Sequence, residues 1–305
     1  MRRFRPTVSC ENPVIHMQTR IIDPQAEPPW RVVLRHRWPL RCMHWINFAC
    51  LLVLVGSGLQ IFNAHPALYW GEASHFESPL FATQAMQRPD GTLYGVTRIG
   101  DARIETTGVL GVSENSQGKL APKGFPDWST IPGSRNLALG RRWHFFFAWL
   151  WVINGACYLA WSLASRRFNN ELSMRSRDWR ELPRSIADHL RLRHPSGDAA
   201  LSYNPLQKLA YLGVIFVLAP LAILTGLSMS PQMDTVLGGF VDLLGGRQAA
   251  RTIHFAAMSL FVLFTLVHVA MVFYAGPINE LRSMITGRFR VRRSRDAGST
   301  EARND

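Results

Sequence analysis

The chain has 305 residues, 47% of them apolar and 18% charged, and its apolar residues are gathered into a few long runs. That distribution excludes an ordinary soluble domain and points to an integral membrane protein. A net charge of +13 would suggest nucleic acid in a soluble protein, but here the arginines flank the apolar runs, where they face lipid headgroups and set orientation, so nucleic acid is not an expected partner.

Residues 1–34 contain Arg2, Arg3, Arg5 and Arg20 and no apolar core of a signal peptide, and read as a retained, unstructured cytoplasmic tail. A helix needs about 20 apolar residues to cross a hydrocarbon core. Four runs meet that length: Cys42 to Phe62, Trp143 to Leu163, Leu206 to Ser228 and Ile253 to Tyr274. The expected fold is therefore all-α: a four-transmembrane-helix bundle over residues 35–288, closed by a basic cytoplasmic tail at 289–305.

Arginine counts set the orientation. Eight lie between Arg2 and Arg41, eight between Arg166 and Arg193, and seven between Arg282 and Arg303. These three segments should share the cytoplasmic side of a bacterial inner membrane. Both termini then lie inside, and the stretch from Asn63 to Gly140 lies outside. That outer connection is about 80 residues long, far more than two helices need, and connections of such length carry function or lack order. Its Tyr69, Trp70, Phe76, Phe81, Phe125 and Trp128 argue for order. The four cysteines, Cys10, Cys42, Cys50 and Cys157, form no Cys-x-x-Cys pair, so neither an iron–sulfur cluster nor a covalently attached haem is encoded.

Four of the ten histidines fall inside spans: His44, His144, His254 and His268. An ionisable side chain in a span is costly and marks function. His144 and His254 both lie in the first turns from the outer surface. His44 and His268 share the inner level. His254 and His268 are 14 residues apart, close to four turns and about 21 Å of rise, so they project from one face. Two haems, each held by an imidazole above and below the iron, suit this arrangement, and iron with two axial nitrogens has no open position for oxygen chemistry. Arg141, Arg142 and Arg251 at the outer level, and Arg37 and Arg41 at the inner, could pair with haem propionates or anchor headgroups. Gly56, Gly58, Gly155, Gly213 and Gly226 give room for a ring or for close helix packing. The other six histidines, His16, His36, His65, His75, His189 and His194, read as solvated.

The segments Arg41-Cys-Met-His-Trp45, Gly140-Arg-Arg-Trp-His144, Tyr203-Asn-Pro-Leu-Gln-Lys208 and Ser283-Met-Ile-Thr-Gly287, with the His254/His268 pair, resemble the di-haem cytochrome b subunits of nickel-iron hydrogenases and formate dehydrogenases, within the bacterial cytochrome b561 group. The resemblance implies two b-type haems, on His44 with His268 and on His144 with His254, and electron exchange between an extracytoplasmic redox subunit and quinone. It places the quinone near the inner haem, at a position matching Asn204, with Lys208 as a further candidate donor. Tyr203 to Lys208 also reads simply as a helix start. His65-Pro-Ala-Leu-Tyr-Trp-Gly71 and Phe125-Pro-Asp-Trp128 in the long outer loop look like a subgroup accompanying molybdopterin-dependent oxidoreductases, which makes such an enzyme the expected partner and a hydrogenase the alternative. The loop is the expected docking platform, with Tyr69, Trp70, Phe125 and Trp128 as exposed contacts. A haem-free anchor or small transporter is the rival class, but it should carry midplane carboxylates or broken helices, and the spans have no Asp, Glu, Lys or Arg away from their ends.

Overall fold

A computed structural model describes residues 30–115, 117–133, 136–191 and 201–292. The expectations placed on residues 1–29 and 293–305, and on His16 and His194, lie outside these. Among the described residues, four helices are long and apolar enough to cross a membrane: α1 (Trp38–Phe62), α2 (Leu137–Ala164), the run Pro205–Ser228, and α7 (Arg247–Ala275). Each contains the expected apolar stretch and extends it, because flanking polar residues complete the end turns. Asn136, for example, caps α2 by accepting from Leu139 N–H at 2.9 Å.

The third span is not a uniform helix. It runs as α4 (Pro205–Gly213), a π-helical stretch at Val214–Leu218, and α5 (Ala219–Ser228). Pro220 has no N–H and crowds the preceding turn, and the widened π turn accommodates it. Helix α1 packs along α2, and α5 packs along α7. The α1–α2 seam is fastened by buried Asn154, whose Nδ2 donates to Met43 O at 3.0 Å and Asn47 Oδ1 at 2.8 Å, the polar cross-helix bonding expected in lipid. Outward aromatics such as Phe146 and Phe273 stay exposed, as lipid-facing residues do.

The all-α expectation needs correction. The connection between α1 and α2 forms a small β domain. Strands β2 (Ala67–Leu68), β3 (Phe81–Gln87), β4 (Leu93–Ile99) and β5 (Ala102–Glu105) make an antiparallel sheet in that order, and β6 (Gly111–Glu114) pairs with β7 (Leu120–Lys123). The two layers approach so closely that a Cβ on Gly95 would lie 2.1 Å from Leu110 O. Its hydrophobic centre is Ala67, Tyr69 and Ala82. The proposed tail boundaries also shift, because β1 (Trp30–Leu34) pairs antiparallel with β8 (Arg288–Arg292).

Among the described residues three further α-helices lie outside the spans. Helix α3 (Ser176–Leu190) is amphipathic and packs on α4, α6 (Asp234–Leu243) connects α5 to α7, and α8 (Pro277–Thr286) follows α7 after Gly276.

Candidate functional site

The four intramembrane histidines meet in two pairs between the α1–α2 and α5–α7 halves. The ring centroids of His144 on α2 and His254 on α7 are 6.3 Å apart, and those of His44 on α1 and His268 on α7 are also 6.3 Å apart. A metal–imidazole bond is about 2 Å and the ring centre lies about 1 Å beyond the nitrogen, so two imidazoles sharing one iron have centres about 6 Å apart. Both pairs fit a haem iron held from two sides.

At the His144 end the rings are held by hydroxyls. Ser57 Oγ donates to Val53 O at 2.6 Å and lies 3.1 Å from His144 Nδ1. Thr225 Oγ1 donates to Leu221 O at 2.6 Å and lies 3.1 Å from His254 Nδ1. Each hydroxyl has spent its hydrogen on a carbonyl, so it accepts from the imidazole, which places the proton on Nδ1 and leaves Nε2 free as a ligand. His254 Nδ1 also faces Ala222 O at 3.0 Å.

A glycine follows each hydroxyl. A Cβ on Gly58 would sit 3.5 Å from His144 Cε1, and one on Gly226 would sit 3.2 Å from His254 Cε1. These two expected glycines thus make room for the imidazoles. A Cβ on Gly56 would instead run into Ile131, and one on Gly155 or Gly213 would meet open space.

At the other end His44 stacks edge-on to Trp45 and His268 lies parallel to Phe264. His44 Nδ1 is buried without a hydrogen-bond partner. A ladder of rings leads from His268 through Phe264 and Tyr211 to Tyr203, which immediately precedes the third span, so Asn204 and Lys208 belong to the His44 end.

The β domain closes the His144 end. Phe62, Phe81 and Phe125 gather around Phe255, the neighbour of His254, with centroids 5.0 to 6.5 Å from it. The Asn63 side chain clamps the loop by accepting from Phe125 N–H and donating to Phe125 O. The first turns of α7 bond to the same segment: Ala249 N–H to Gly71 O, Arg251 Nη2 to His65 O at 2.6 Å, and Thr252 Oγ1 to Tyr69 O at 2.6 Å.

Other anticipated residues divide. Arg142 is exposed, Arg141 lies over Phe145, and Arg251 lies over Phe62. Arg37 is exposed, whereas Arg41 Nη1 donates to Ile285 O at the end of α8 and its Nε is buried without a partner. Asn204 is the N-cap of α4, accepting from Gln207 N–H at 2.8 Å. Lys208 pairs with Asp178 on α3 at 3.0 Å, both side chains 14% exposed.

Three expectations are overturned. Tyr69 is buried and Phe125 half-buried, because both pack inward, so of these four only Trp70 and Trp128 are exposed. His65 is half-buried and stacks on Tyr69. His36 is buried near Arg35, Arg167 and His44, with Nδ1 unpartnered. The hydroxyl partners of the histidines were also missed; the repeated dipeptides Ser57-Gly58 and Thr225-Gly226 were the available signal.

Over 250 residues, 80% of this chain and 88% of the relative, the sequence is 28% identical to a putative protein-methionine-sulfoxide reductase subunit, YedZ1, of Azospira oryzae. No solved structure matches. Residues 35–287, which hold all four spans and both histidine pairs, match the prokaryotic cytochrome b561 family, and the chain is thus a multi-pass, b-type haem protein of electron transport belonging to that family.

Proposed function

We propose that this chain carries electrons between an extracytoplasmic, molybdopterin-dependent redox subunit and the quinone pool through two b-type haems, one held by His144 and His254 and the other by His44 and His268. The observation that carries this reading is the equal 6.3 Å separation of the two pairs. When bound, haem supplies reversible one-electron transfer. The chain's own residues do the rest: Ser57 and Thr225 orient the imidazoles, and the Phe62, Phe81, Phe125 and Phe255 cluster keeps water from the His144 end.

The arginine bias supports cytoplasmic termini and an outer β domain, on which exposed Trp70 and Trp128 offer interface-type side chains. The Azospira relative is named as a reductase subunit, which favours an enzyme partner. Quinone is assigned to the His44 end near Asn204 and Lys208. The deciding experiment is haem stoichiometry and spectroscopy on the purified protein. Two haems per chain, both low-spin and six-coordinate, are expected, and one haem or none overturns the reading.

A further inference from the structure

The two ends of the described chain meet at the end of the bundle that bears His44 and His268. In the β1–β8 ribbon Val32 lies opposite Arg290 and Leu34 opposite Arg288. Opposed residues share a face, so this face alternates apolar and cationic side chains. Val32 and Leu34 are 58% and 69% exposed, whereas Phe289 and Val291 on the other face are buried.

Helix α8 is bonded alongside. Asn279 Nδ2 donates to Arg290 O, Arg290 N–H donates to Asn279 Oδ1, both at 3.0 Å, and Arg282 Nε donates to Arg288 O at 3.3 Å. One residue, Gly276, separates α8 from the end of the α7 span, so α8 begins where the chain leaves the hydrocarbon. Its Ile278, Leu281 and Ile285 fall on one helical stripe and are exposed, the pattern of a helix lying in a membrane surface.

Two grooves open between the ribbon and this helix. One, of about 530 Å³, is lined by Val32, Arg282, Thr286, Arg288 and Arg290. The other, of about 370 Å³, is lined by Trp30, Ile278, Asn279, Arg282 and Arg290. Among the described residues no carboxylate lines either, and the acid on α8, Glu280, is taken by Arg35 at 2.9 Å.

We infer that this corner binds an anionic phospholipid, its phosphate diester between Arg282, Arg288 and Arg290 and its acyl chains along Ile278, Leu281 and Ile285. Guanidinium forks suit phosphate oxygens. A zwitterionic headgroup would bring its own ammonium into three guanidinium groups. The apolar rim of Trp30, Val32 and Ile278 selects a lipid over a free phosphate, which would leave that surface wet.

The test is lipid retention on the haem-loaded, detergent-purified full chain, read by native mass spectrometry with phosphatidylglycerol or phosphatidylcholine. Phosphatidylglycerol should be retained about tenfold over phosphatidylcholine, and Arg282→Gln with Arg290→Gln should lower its retention by about tenfold or more with the haem spectrum unchanged. The control pair Arg180→Gln with Arg184→Gln, exposed on α3, should leave retention intact. If the double variant loses haem, Arg290→Glu replaces it, since Asn279 holds the backbone and not the side chain of Arg290. Equal retention of the two lipids, an equal loss in the α3 control, or displacement of the lipid by inorganic phosphate overturns the site.

Discussion

Ser57 Oγ lies 3.1 Å from His144 Nδ1 while donating its own hydrogen to Val53 O, so one hydroxyl fixes both the tautomer and the tilt of an imidazole on another helix. Thr225 does the same for His254, and each imidazole also has a backbone acceptor, Leu54 O for His144 and Ala222 O for His254. Hydrogen bonds of this kind raise ligand basicity, and losing one typically costs about 10–100-fold in metal affinity.

The two hydroxyls should therefore act alike. Ser57→Ala is expected to weaken retention of the haem at the His144 end about tenfold and to raise its midpoint potential, because a less basic imidazole stabilises oxidised iron less. Thr225→Val should do the same to a similar degree through His254. Redox titration of the two variants decides, and an unchanged potential in both would show that the carbonyls of Leu54 and Ala222 hold the imidazoles without the hydroxyls.

Haem occupancy should follow the histidine pairs. His144→Ala and His254→Ala should each remove one haem, and His44→Ala and His268→Ala the other, halving the haem-to-protein ratio in all four. If His44→Ala and His254→Ala removed the same haem, the pairing by level would be wrong.

Asn204 caps α4, so a bulky replacement would confuse a quinone contact with helix fraying worth about 1 kcal/mol. Asn204→Ser keeps the cap and shortens the reach. Quinone-linked turnover should fall several-fold in this variant with both haems retained. Unchanged turnover would leave Asn204 as a cap alone.

The exposed and buried aromatics of the β domain should behave differently. Trp128→Ser, at a residue 84% exposed, should abolish co-purification of the redox partner without haem loss. Phe125→Ala, which removes packing against Phe62 and Phe255, should destabilise the fold by about 3 kcal/mol. A Trp128→Ser variant that keeps its partner and its rate of haem reduction would exclude this face.

His36 predicts an acid sensitivity. Burial, reinforced by Arg35, Arg167, His44 and Arg41, pushes its pKa down to about 3. The unfolded chain takes up the proton as pH falls below about 6.5 while the folded chain does not, so stability is full above that pH and declines toward pH 3. From pH 6.5 to 5 the loss is about 2 kcal/mol. Unfolding midpoints measured across that interval should drop in the parent and stay nearly flat in His36→Gln.

The primary sequence determined the four spans, the depth of each histidine and the two pairs, because a bilayer converts residue count into height and excludes unpaired polar groups from its centre. It also placed Asn204 correctly at a helix start. It did not contain the β domain in readable form: Ala67 with Ala82, and Gly95 against Leu110, meet only when short, weakly alternating strands find partners distant in the chain. Tertiary structure likewise decided that Tyr69 is buried while Trp128 is not, that His36 is enclosed among arginines, and that Trp30–Leu34 leaves the tail to pair with Arg288–Arg292. Height in a membrane is a local property of the sequence, whereas the direction a side chain faces depends on what packs beside it.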